Sequence, residues 1–238
     1  MPVAAGTPKS LPARLFGVLL APRATYAEVA ARPRWFGALA FVIVVGALAT
    51  SVFMSTEVGR QAALDQQTEF MKALNIQMTD QQYARMEDGM RYAPYTAPIG
   101  QIFFVGIVSL IVAGILLGIF NAVLGGDAGF KQVYAVVAHS YVITVLATIV
   151  KLSLGYAKGT MSGVTNLGVF VQFLDDSSIP ARFLGAIDLF IVWWIVSLSI
   201  GLGVLYKKRT GPIATTLIGV YVVIALVYAL IRTALAGA

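Results

Sequence analysis

Five side chains stand inside otherwise apolar sequence and carry whatever chemistry the chain can do there: Asp188, Lys151, His139, Asn121 and Trp193. A carboxylate inside a lipid-crossing helix costs about 2.5–3.5 kcal/mol, so Asp188 requires a cation, hydrogen-bond donors or water. Lys151 lies near the end of a different apolar run, at the depth that alternating topology gives Asp188. An ion pair between them could hold a coupling ion or substrate. Both lie near a membrane boundary, which favours a structural pair. His139 is about 9 Å into its run, counting from Val133 at 1.5 Å per residue. It could relay a proton or sense pH. No acid shares its depth, and Asn121, at the inner end of the neighbouring run, is its expected hydrogen-bond partner. Trp193, followed by Trp194, sits mid-run, where it either lines a cavity or packs against neighbours.

Other chemistries lack their residues. The chain has no cysteine and one histidine, so thiolate and multi-histidine metal sites are excluded. It has no P-loop and no glycine-rich nucleotide fingerprint. Ser140 beside His139 points to a different helix face, so the two are not a nucleophile and base. Neither an enzyme nor a cofactor is expected. The net charge of +6 does not point to nucleic acid, because the basic residues stand at the ends of apolar runs.

The elements that must position these residues are membrane helices. Hydrophobic residues make up 58% of the chain and charged residues 12%, against about 25% charged in soluble domains. Five runs are long enough to cross a bilayer: Trp35 to Met54, about Ile99 to Leu124, about Val133 to Leu154, about Phe183 to Tyr206 and about Ile213 to Ile231. Segments 1–34, 125–132 and 207–212 hold nine Lys and Arg against two acids, which places the N-terminus inside and the C-terminus outside. Leu15 to Ala21, broken by Pro22 and Arg23, is too short for a signal segment.

Leu11 to Leu20 reads as a short amphipathic helix. Thr25 to Glu28 matches a capping box that starts a second helix ending near Ala31, and the pair should lie on the inner leaflet. Arg60 to Asn75, with Leu64, Phe70, Met71 and Leu74, and the segment from Thr79 through Tyr83, Met86 and Met90, predict two amphipathic helices. These pack on each other or on the bundle top, and Pro94 and Pro98 end the second. Val164 to Leu174 is apolar but too short to cross, and reads as an interfacial or re-entrant helix. Asp175, Asp176, Ser177 and Pro180 mark the turn into the fourth run. Gly114 with Gly118, and Ser197 with Gly201, are small-residue pairs that permit close helix approach.

Some stretches go beyond composition. Gly125-Gly-Asp-Ala-Gly-Phe-Lys-Gln-Val133 followed by Ala138-His-Ser-Tyr141 resembles the Yip1-domain pattern. So do Ile187-Asp-Leu-Phe-Ile-Val-Trp193 with Ser199-Ile-Gly-Leu202, and Leu20-Ala-Pro22 with Tyr26. The proline that often follows the aromatic in the third span is replaced by Val142 and Ile143, and the Asp-Leu-Tyr-Gly-Pro motif of eukaryotic members is absent. Eukaryotic relatives sit in Golgi and endoplasmic reticulum membranes and bind Rab-type GTPases. This chain resembles bacterial members, so the resemblance implies fold and placement in the cytoplasmic membrane more than activity.

The expected fold is therefore all-α: a polytopic membrane helix bundle of five transmembrane helices, an N-terminal interfacial helix and an extracytoplasmic helical hairpin. Residues 1–34 form the cytoplasmic amphipathic segment. Residues 35–238 form the Yip1-like domain, with the hairpin at 55–98. The expected function is non-enzymatic, through contacts with the lipid bilayer, protein partners or further copies of the chain. The rival is a small permease or channel subunit lined by the five polar residues.

Overall fold

The structure is a computed structural model that describes residues 9–74, 76–161, 163–175 and 178–236. Two short helices lead the chain. Ser10 caps α1 (Leu11–Leu20) by accepting from the Ala13 N–H. Pro22 then opens α2 (Pro22–Ala31) at its first turn, where its missing N–H is no loss. The second helix therefore begins three residues before the expected cap. Thr25 lies inside it, fully buried, and donates back to the Ala21 carbonyl. Gly17 makes the α1–α2 turn tight, since a Cβ there would overlap the Thr25 hydroxyl.

Four helical stretches among the described residues are long and apolar enough to cross a membrane. They are α3 (Phe36–Ser55); α6 (Ala93–Leu117), which continues as a π-turn over Gly118–Val123; the pair α7 (Phe130–Ser140) and α8 (Val142–Lys158); and α11 (Thr210–Ala236). Exposed apolar side chains run along the outward faces, such as Phe103, Ile107 and Ile111 on α6 and Val223, Ile224 and Val227 on α11. Their surface is the lipid-facing side of a multi-pass integral membrane protein.

The fourth expected run does not form one helix. It divides into α9 (Ile179–Gly185) and α10 (Leu189–Leu205), which is 17 residues long, or about 26 Å at 1.5 Å per residue. The π-turn has a local cause. Asn121 donates to the Ala128 carbonyl and accepts from the Tyr206 hydroxyl, which ties the helix end to the Gly125–Gly126 turn. Tyr206 stacks on Phe120 and covers Gly126, where a Cβ would overlap its ring.

The core lies around α7, whose residues Val133 to Ser140 are all buried. The α1–α2 pair packs onto α7 and α10 rather than resting only on a leaflet. Tyr26 is fully buried, shares a 2.8 Å hydrogen bond with Ser197, and lies against Gly201. Ser197 and Gly201 thus form a real packing face. Gly114 and Gly118 do not, since a Cβ at either would meet nothing within 4 Å.

The polar stretch expected to form a hairpin carries α4 (Glu57–Ala73) and α5 (Asp80–Gly89), which do not pack closely on each other. Thr79 and Gln82 form the expected capping box. Leu64 is buried and α4 packs on α3, α8 and α11, but α5 buries no residue fully: Tyr83 is exposed and Met86 half-buried. Pro94 starts α6 instead of ending α5, which suits a residue with no N–H to give. Val164 to Leu174 forms no α-helix; it carries one 3-10 stretch, Leu167–Val171. Asn75, Asp176 and Ser177 lie outside the described residues.

Candidate functional site

Asp188 is not buried mid-helix. The chain breaks after Gly185, and Asp188 becomes the N-cap of α10. Its Oδ1 accepts from the Phe190 and Ile191 N–H groups at 2.8 and 3.2 Å. Its Oδ2 accepts from Lys151 Nζ at 2.8 Å and from Thr165 Oγ1 at 2.7 Å. All four lone-pair directions are used. The pair is uneven in burial: the Lys151 side chain is 39% exposed and that of Asp188 13%.

The break itself is held by backbone pairing. Leu167 N–H donates to the Ile187 carbonyl and Leu189 N–H to the Thr165 carbonyl, so Asn166 and Asp188 face each other as an isolated antiparallel bridge. Tyr221 of α11 closes the remaining gap. Its hydroxyl accepts from the Asp188 N–H and donates to the Ala186 carbonyl. Backbone groups freed where a helix is interrupted need such substitutes for the lost hydrogen bonds.

Beside the break lies an open cavity of about 860 Å³. Lys151 and Asp188 form part of its wall, with Glu69 of α4, Lys158 at the end of α8, Arg182 of α9 and Arg232 of α11.

His139 lies elsewhere and has a different partner from the one expected. It is fully buried, with Nδ1 2.8 Å from the Ala135 carbonyl and Nε2 3.4 Å from Arg14 Nη1. A carbonyl only accepts and a guanidinium only donates, so the ring is neutral with its hydrogen on Nδ1. Arg14 also donates to the Arg34 carbonyl, while its Nε is buried without a partner. Burial pushes the Arg14 guanidinium down from its ordinary value, opposed by the Glu28 carboxylate. Burial likewise pushes the Tyr26 phenol up. Asn121 serves the Ala128–Tyr206 turn instead of His139.

Of the tryptophans, Trp193 is exposed and lies against Phe190. Trp194 donates to Ser140 and tilts against Tyr141. The five predicted residues therefore fall into separate groups, with only Lys151 and Asp188 brought together. Sequence reasoning missed Thr165, Tyr221 and Arg14, and gave Tyr26 only as part of the family-like pattern. Tyr221 had a signal, since a tyrosine hydroxyl in an apolar run needs a partner. Among the described residues no group of three or more His, Cys, Asp or Glu side chains could hold a metal ion.

The Yip1 domain family model matches residues 16–232, nearly the whole chain. The chain belongs to the Yip1 family. No curated protein and no solved structure matches it significantly. In this Yip1 domain the family-like Gly125-Gly126 turn is the one tied by Asn121 and Tyr206. The Asp188-Leu-Phe stretch is the cap that opens α10. Tyr26, from the N-terminal part of the pattern, is the residue that seats the leading helices on Ser197 and Gly201.

Proposed function

We propose that this Yip1-family protein is non-enzymatic and acts through membrane-embedded contacts with protein or lipid, rather than as a permease. The observation that carries the reading is the separation of its polar groups. His139 and Lys151 lie twelve residues apart on α7–α8, or about 18 Å along the axis. Between them Val142, Ile143, Val145 and Ala147 are buried and apolar. The His139 ring and the Asp188 carboxylate are each closed by their own partners, which supports structural pairing over a continuous path. The α5 face that carries the exposed Tyr83 and the half-buried Met86 is the one we assign to partner contact. A photo-crosslinker at Tyr83 in native membranes should capture one recurrent partner or a second copy. Capture of nothing above background, together with solute flux in proteoliposomes, would favour the permease.

We further propose that α10 crosses the bilayer as a fifth span, with the N-terminus inside the bacterial cytoplasmic membrane and the C-terminus outside. The 55–98 stretch then faces outward and residues 1–34 inward. The absence of native cysteine makes single-cysteine labelling clean. Lys9→Cys, Asp127→Cys and Lys208→Cys should react from one side, and Asp88→Cys and Lys158→Cys from the other. Lys208→Cys reacting together with Lys158→Cys would mean that α10 does not cross.

A further inference from the structure

Among the described residues, the wall of the cavity beside the α9–α10 break carries the cations Lys158 and Arg232 beyond the Lys151–Asp188 pair. Asp188 is occupied by Lys151, Thr165 and two backbone N–H groups. Glu69 is the other acid on the wall among the described residues, against Lys158 and Arg232. Lys158 makes no ion pair among the described residues. Arg182 donates to the Arg232 carbonyl at 2.9 Å, which holds two arginines on one wall. The Arg232 guanidinium lies 5.9 Å from the Tyr228 ring centroid, and both residues line the cavity. Uncharged donors, Gln66 and Gln172 among them, complete the wall.

The surroundings are those of a membrane boundary. The cavity lies at the Lys158 end of α8, where the apolar span gives way to polar sequence. The loop on its edge turns Phe170 and Phe173 outward, 68% and 83% exposed. Aromatic side chains held out at this level suit insertion among lipid chains. A cationic cavity of about 860 Å³ at that depth has room for a lipid headgroup.

We infer that this cavity binds the phosphate-bearing headgroup of an anionic amphiphile, with the phosphate between Lys158 and Arg232. The inference rests on the proposed reading that this end of the bundle lies at a membrane surface. The phosphate could belong to a membrane lipid or be free in solution, and the test separates the two.

The full chain is placed in nanodiscs of phosphatidylcholine with a minor fraction of phosphatidylglycerol, and the retained lipid is counted by native mass spectrometry. Phosphatidylglycerol should be enriched over its bulk share by about fivefold or more, the effect of about one basic residue near a membrane surface. Lys158→Gln with Arg232→Gln should return the ratio to bulk, while Lys72→Gln with Arg85→Gln on α4 and α5 should not change it. In neutral detergent, inorganic phosphate is titrated while the thermal midpoint is read. Stabilisation by phosphate that the double variant loses, without lipid enrichment, would assign the same chemistry to a soluble ligand. Enrichment that survives the double variant, or neither response in a folded wild-type protein, would overturn the site. A Lys158→Cys label reacting from the side of Lys9→Cys would instead overturn the reading beneath it.

Discussion

Asp188→Ala is expected to destabilise the protein by about 2–4 kcal/mol, several times the cost of Lys151→Ala. The asymmetry follows from what each side chain does. Asp188 caps α10 through two N–H groups, and losing such a cap alone costs about 0.5–2 kcal/mol. It also accepts from Thr165 and Lys151, which its removal leaves without an acceptor. Lys151 is 39% exposed and can extend toward the headgroups when unpaired, so its side of the pair is discounted. Removing Lys151 leaves Asp188 with three donors, and about 1 kcal/mol or less should be lost. Asp188→Asn keeps a good cap and should fall between the two. The check is the thermal midpoint of each variant in the same detergent, with a Lys151→Ala/Asp188→Ala cycle to isolate the coupling. If Lys151→Ala were as damaging as Asp188→Ala, the ion pair rather than the cap would be holding the break.

Gly201→Leu is expected to release the α1–α2 pair from the bundle. A Cβ at Gly201 would stand 3.0 Å from the Tyr26 ring and would overlap the Val136 side chain, and leucine adds three more carbons. Tyr26 is fully buried, so it has no room to yield. Overpacking of this kind costs about 1–3 kcal/mol or more. Displacing Tyr26 would also strand Ser197 and draw Arg14 away from His139. Backbone amides of Leu11 to Ala31 should then exchange hydrogen much faster, while those of α3 and α6 keep their protection. Tyr26→Phe keeps the ring and loses one shared hydrogen bond, so it should weaken docking by about 1–3 kcal/mol without releasing the pair. Unchanged protection of residues 11–31 in Gly201→Leu would mean that this contact does not seat the helices.

The contrast between these two sites shows what the sequence could and could not disclose. Membrane helices were legible because each needs a long uninterrupted apolar run, and α3, α6 and α11 have one. The Lys151–Asp188 pair was legible because two opposite charges at matched depth have few other partners. The break before Asp188 was not, since apolar residues continue on both sides. The signal there was the helix-capping habit of aspartate rather than its charge. The Arg14–His139 contact joins residues 125 apart through a helix expected to lie on the surface. Local pattern cannot report a long-range docking of that kind. Asn121 was read as a partner for His139 on depth alone. The tight Gly125–Gly126 turn instead delivers the Ala128 carbonyl and the Tyr206 hydroxyl to it.

The measurement that tests the account most directly is a cysteine scan of α7–α8 from Val136 to Lys151, in lipid, with a membrane-impermeant thiol reagent. The chain has no cysteine of its own to confuse it. Separate, internally satisfied polar groups predict that Val142→Cys, Ile143→Cys, Val145→Cys and Ala147→Cys stay unreactive, with labelling confined to Lys151→Cys at the cavity. A continuous reactive stripe joining position 139 to position 151 would show a hydrated path and contradict the account.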